Sequence, residues 1–300
     1  MTAVLSKIAS DPIGPAGLAA LQAGVAVEQG VDPLPLGEVL LQRLPEVLGA
    51  AARLVNAVEE ELGSMPPMPR GAGGLWIGDL FAPASWLAAR REHDADSVDA
   101  FEALPHWCLP AIACFTRNRE LLHRIAHNDA IALPVGPLAT LHPHAAFLDR
   151  LCHLLLDEEL LVIDRPSGRR FRIGIDGVAL NFELHTGLQL ALGPALGLPP
   201  LDPQIGVCLA GKGPQQIDVV STGMWSLHSA GALDFEADIP RAHWVWNEGQ
   251  PMDIPVVDGK RILVLDEAAF TRTWQTSRTY AALAARVWLI EELAPQQEQL

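Results

Sequence analysis

The period of the apolar residues changes once along this chain, and that change limits its fold more than any other feature. Before Asp157, apolar side chains recur at steps of three and four; beyond Leu160 they recur at steps of two. The first spacing puts one greasy stripe on a helix, and the second puts one greasy face on a strand. Helices first and strands later predict an α+β protein, with a helix-rich N-terminal half packed on a mostly antiparallel, strand-rich C-terminal half. The segments read as 1–62 helical, 63–74 linker or loop, 75–156 helical and 157–300 β-rich with short helices, compatible with one continuous domain.

The front segment shows the helical spacing most clearly. In GEVLLQRLPEVLGAAARLVNAVEEEL, Val39, Leu40, Leu44, Val47, Leu48, Ala51, Leu54, Val55 and Val58 share a face. Pro45 is expected to kink or split that run. Asp32 is placed to cap its start. Glu59, Glu60 and Glu61 sit at the negative end of the helix dipole, which argues for solvent exposure. GSMPPMPRGAGG cannot continue a helix.

Further along, Ser97 is read as the N-cap before VDAFEAL. TRNRELLHRIAHND is read as a helix ending near Asn128, NDAIALPVGPLATLHPH as irregular, and AAFLDRLCHLLLDEEL as a helix. LLVIDRPSGRRFRIGIDG reads as two strands joined at Pro166, Ser167 and Gly168. Asn181 is read as the cap of a short helix, NFELHTGLQLAL, and GPALGLPPLDPQIG as a loop. IDVVSTGMWSLHS, AHWVWNEG and KRILVLDE are strand-like, and Asp258-Gly259 signals a hairpin turn. ARVWLIEEL reads as a strand preceded by a helix from near Thr279.

Composition excludes several classes. A hydrophobic fraction of 49% with 19% charged residues argues against disorder. No apolar run approaches the roughly 20 residues of a membrane span, and the N-terminus lacks signal-peptide features. The expectation is a soluble, cytoplasmic protein without a membrane partner. A net charge of −15 argues against a nucleic-acid partner and favours a basic protein partner. Cys108, Cys114, Cys152 and Cys208 follow no metal or disulfide spacing and read as buried thiols.

Two groups of residues point to chemistry. His123 and His127 lie one helical turn apart, and His142 and His144 flank Pro143; such pairs can hold Zn or Fe. Arg124 beside His123 opposes a cation, and singly hydrogen-bonded histidines are the plainer account. Trp244 and Trp246 share one strand face, with Glu248 and Asp253 near and Trp225 on a neighbouring strand. They form either a core wall or a platform for a ligand or partner. His106 with Cys108 offers a thiol and a base, but adjacent residues rarely acquire that geometry. GKGPQQ is no phosphate loop, and no dinucleotide fingerprint or nucleophile elbow occurs.

Two functions remain open at this point. One is a binding or accessory protein that docks a protein or small-molecule partner. The other is a metal-dependent enzyme with a histidine-rich site between the helical and β-rich halves. Apolar faces bearing tryptophan leave a homo-oligomer open as well.

Overall fold

The computed structural model describes residues 2–63, 74–212, 216–229, 250–257, 259–277 and 284–294. The chain divides into two compact units, Met1–Cys152 and His153–Leu300. The first is mostly helical and the second carries the main sheet with two helices, so the protein is α+β.

In the first unit, α1 (Thr2–Ser10), α2 (Ile13–Glu28) and α3 (Leu34–Leu62) come before a small hairpin, β1 (Gly74–Ile77) and β2 (Leu80–Pro83). Then follow α4 (Ala84–His93), α5 (Ala95–Glu102), α6 (Leu104–Phe115), α7 (Arg119–Ile125), α8 (Asp129–Ala139) and α9 (Pro143–Cys152). Asp32 does cap the start of α3, its Oδ1 accepting from the Leu34 amide at 3.1 Å. Pro45 does not split α3, which runs unbroken for 29 residues. The buried stripe of Leu40, Leu44, Val47, Leu48, Ala51, Leu54, Val55 and Val58 holds it against α5, α6 and α8. That burial outweighs the roughly 3 kcal/mol that an interior proline costs.

Small residues let α2 approach α6. A Cβ at Gly17 would stand 2.7 Å from Trp107 Nε1, and one at Gly24 would stand 2.6 Å from Pro110 Cβ. Trp107 is fully buried, and its indole N–H donates to the Ile13 carbonyl at 3.2 Å.

Three local expectations for this unit change. Asp94, not Ser97, caps α5; its side chain accepts from the Ser97 amide, because Ser97 lies inside the first turn. The 128–144 stretch is not irregular: α8 forms despite Pro134 and Pro137, anchored by buried Ile131, Val135 and Leu138. α9 stops at Cys152, and Leu155 instead bridges to Val178. The β1–β2 hairpin was not expected; it turns at Gly78 and Asp79, with Gly78 at φ 61°.

In the second unit, β3 (Glu158–Asp164) and β4 (Arg169–Asp176) form the expected hairpin, turning at Gly168 with φ 69°. Next come α10 (Asn181–Leu196), α11 (Pro203–Leu209), β5 (Gln216–Thr222), β6 (Trp225–Ser229), β7 (Val256–Val257), β8 (Lys260–Glu267), β9 (Thr273–Ser277) and β10 (Arg286–Leu293). The main sheet runs β10-β4-β3-β8-β6, with β7 also paired to β8. Among the described residues, only the central β3–β8 pair is parallel. β5 and β9 pair separately. The Asp258-Gly259 signal falls at the β7–β8 turn, where Gly259 has φ 74°, although Asp258 itself lies outside the described residues. The helix expected from near Thr279 also falls mostly outside them.

Leu184, Leu188 and Leu192 of α10 pack with Leu160, Val162, Phe171, Ile173, Ile175, Leu227, Leu263 and Leu265 of the sheet. Gly187 brings α10 onto β10, since a Cβ there would overlap Val287. Asn181 is the first helical residue of α10 rather than its cap. The Glu183 carboxylate instead accepts from the Ala179 and Leu180 amides, each at 3.1 Å. The 193–196 part of the expected loop extends α10 to Gly197, and 203–209 forms α11.

Candidate functional site

A cleft lined by ionisable residues lies in the helical unit, among α2, α5 and α6. Its volume is about 380 Å³, and Gly14, Pro15, Leu18, Asp99, Glu102, Ala103 and His106 line it. Each wall has a local cause. Pro12 and Pro15 suit the first turn of α2, where their missing N–H groups cost nothing. Gly14 leaves open space, since a Cβ there would meet nothing within 4 Å. Leu18 faces the cleft and is 52% exposed. Asp99 and Glu102 lie three residues apart on α5, so their carboxylates share one side of the helix. Ala103 is the residue joining α5 to α6, and His106 follows in the first turn of α6.

The charge of the cleft is set by one shared cation. Arg91 Nε donates to Asp99 Oδ1 at 3.2 Å, and its Nη2 donates to Glu102 Oε2 at 2.8 Å. One guanidinium therefore faces two half-exposed carboxylates, leaving a net negative lip with unused acceptor lone pairs. Beside these carboxylates, Pro15, Leu18 and Ala103 make the lining apolar. The combination can take an alkyl group that ends in a cation.

The four candidate metal-ligating histidines fall in two places. His123 is exposed in the last turn of α7, and His127 adopts a left-handed backbone with φ 62°. The His127 amide donates to the Cys152 carbonyl at 2.8 Å, which ties the end of α7 to α9. His142 and His144 do come together, with ring centroids 5.1 Å apart. There the His144 amide donates to His142 Nδ1 at 3.3 Å, so that nitrogen serves as a backbone acceptor. Burial, and then the His144 charge, hold the His142 imidazole below its ordinary pKa. Among the described residues, no three or more His, Cys, Asp or Glu side chains gather into a metal-ion site.

Of the second expected group, Trp244, Trp246 and Glu248 lie outside the described residues. Trp225 is 5% exposed and belongs to the core of the second unit. Asp253 is exposed in a one-turn 3-10 helix (Pro251–Asp253), where its carboxylate accepts from the Gln250 amide at 2.6 Å. Trp225 packs instead on His185 of α10, with ring centroids 5.3 Å apart, and Trp274 meets the same imidazole edge-on at 5.4 Å.

His185 is itself fully buried, and its Nε2 accepts from the Met224 amide at 2.9 Å. Burial pushes its pKa down to about 3, so the ring stays neutral. One turn on, Gln189 Nε2 donates to the Thr222 carbonyl at 2.6 Å. His185 and Gln189 thus pin the β5–β6 turn to α10, which is a structural role.

The thiol-and-base pairing of Cys108 with His106 does not form a nucleophile. Cys108 is fully buried, and burial pushes its thiol up to about 12. Cys114 and Cys152 are raised likewise to about 12, and Cys208 is also buried.

Among the described residues, no helix is long and apolar enough to cross a membrane. No known protein family, curated protein or solved structure matches the chain.

Proposed function

We propose that this chain is a binding protein whose helical unit docks a basic partner protein, taking one lysine or arginine side chain into the α2–α5–α6 cleft. The observation behind this reading is the apolar lining beside the Asp99–Glu102 carboxylates, which a single guanidinium neutralises only in part. About 380 Å³ is at the small end for a ligand site and suits one long side chain. Lysine and arginine carry an alkyl stem behind the charge, which suits a lining that is part apolar and part acidic. The chain's net charge of −15 would steer a basic protein toward it from beyond contact range.

The test is titration of the full chain with a short amphipathic peptide of alternating leucine and lysine, against its leucine–glutamate counterpart. Binding is read by isothermal calorimetry. The lysine peptide is expected to bind, more weakly as salt rises. The Asp99→Asn, Glu102→Gln double variant should lose about fivefold, since half-exposed ion pairs are worth roughly 1 kcal/mol. Gly14→Leu is expected to narrow the cleft, since a Cβ there meets nothing within 4 Å. Equal binding of both peptides, or no loss in either variant, would defeat the reading.

A further inference from the structure

The cleft continues along α2 and α6 as an apolar stripe. Leu18, which lines the cleft, is followed on α2 by half-buried Leu21 and by Val25, 48% exposed. Steps of three and four keep these three on one side of the helix. His106, which lines the cleft from α6, is followed one turn later by Leu109, 39% exposed. The seam between the two helices is tight. A Cβ at Gly17 would stand 3.2 Å from the His106 Cβ, and one at Gly24 would stand 2.6 Å from the Pro110 Cβ. Gly17, Leu21 and Gly24 follow one another at steps of four and three, so Leu21 stands over the seam. Leu18 and Val25 flank it on α2, and Leu109 flanks it on α6.

Two properties of the stripe select its occupant. First, it is built from helix side chains, and the amides and carbonyls beneath them are used within α2 and α6. An extended segment laid across it would bury its own backbone groups without partners, whereas a helix satisfies its own. Leu18 to Val25 spans about 10 Å of helix axis, which matches two turns of a docked helix. Second, the stripe ends at Asp99 and Glu102, which share the single Arg91 guanidinium. A complementary segment therefore carries a cation at the cleft and apolar residues beyond it.

We infer that the docked segment is an amphipathic α-helix of the basic partner, its apolar side lying along Leu18, Leu21, Val25 and Leu109 while one of its lysines or arginines enters the cleft. This rests on the reading of the cleft given above and names the kind of segment the site takes.

The experiment titrates the full chain, by isothermal calorimetry, with two peptides of one leucine–lysine composition. One repeats leucine at steps of three and four; the other alternates leucine and lysine. The first is expected to bind about tenfold more tightly and to gain helical circular dichroism on binding. Val25→Gln, Leu109→Gln changes two exposed positions without adding charge. It should cost the helical peptide about tenfold and leave the alternating peptide unchanged. Equal affinities that both fall in Asp99→Asn, Glu102→Gln would overturn the helix and leave the cleft standing. A helical peptide indifferent to Val25→Gln, Leu109→Gln would do the same. Binding of neither peptide would overturn both. A wild type running at twice the chain mass on a sizing column, and at the single mass in Val25→Gln, Leu109→Gln, would give the stripe to a second copy and overturn the assignment.

Discussion

At the scale of single residues, His185 gives the protein a specific weakness toward acid. Its imidazole is held neutral, with the pKa lowered from 6.5 to about 3 by burial. In the unfolded chain the same group takes a proton near 6.5, so the unfolded state binds more protons at every pH between these values. The stability from this site is present above pH 6.5 and is lost as the pH falls toward 3. By linkage it contributes a loss of about 2 kcal/mol between pH 7 and pH 5. Urea unfolding at those two pH values should show the drop, and His185→Gln should flatten it while still offering an oxygen to the Met224 amide. A slope unchanged in the variant would assign the acid sensitivity elsewhere; His142 and His228 are also lowered by burial. His185 did not stand out in the sequence, since one histidine inside a helical run of faint periodicity carries no local mark of its depth. Likewise, His106 drew notice for its neighbour Cys108, while the residues it lines a cleft with are Asp99, Glu102 and Leu18. That grouping is made by α2 crossing α5 and α6, and no spacing along the chain encodes it.

At the scale of elements, α10 is the most constrained. One side carries Leu184, Leu188 and Leu192 to the sheet, and another carries His185 and Gln189 to the β5–β6 turn. Burial on two sides is why its apolar periodicity is faint compared with that of α3, whose opposite face meets water. Gly187 sets how closely α10 lies on β10. Gly187→Ala should therefore destabilise by about 1–3 kcal/mol through overpacking, despite the better helix propensity of alanine. A gain in the urea midpoint would show that the helix shifts freely. The strands were legible wherever one face is buried, as in Phe171, Ile173 and Ile175 of β4. α8 was not legible, because Pro134 and Pro137 argue locally against helix while burial of Ile131, Val135 and Leu138 decides for it. The β1–β2 hairpin was missed although Gly78-Asp79 between apolar pairs is a turn signal of the usual kind.

At the scale of the whole molecule, the change of apolar period near Asp157 fell close to a physical division, the boundary between the units at Cys152 and His153. Each unit has its own buried residues and is of a size that sustains a core. A fragment of residues 1–152 is expected to keep its helical circular dichroism and to melt in one cooperative transition; a broad, non-cooperative melt would show that it depends on the rest of the chain. The two units also differ in how their contacts accumulate along the chain. The helical unit is complete once its last helix is made. In the sheet, β3 takes β8 as its parallel neighbour, roughly 100 residues further along. On a ribosome adding about 10 residues per second, the β3–β4 hairpin then waits on the order of ten seconds for β8. Throughout that interval the apolar inner strand of the finished sheet is an open border, so the nascent chain is most exposed to aggregation, and most in need of a chaperone, between the synthesis of β4 and of β8.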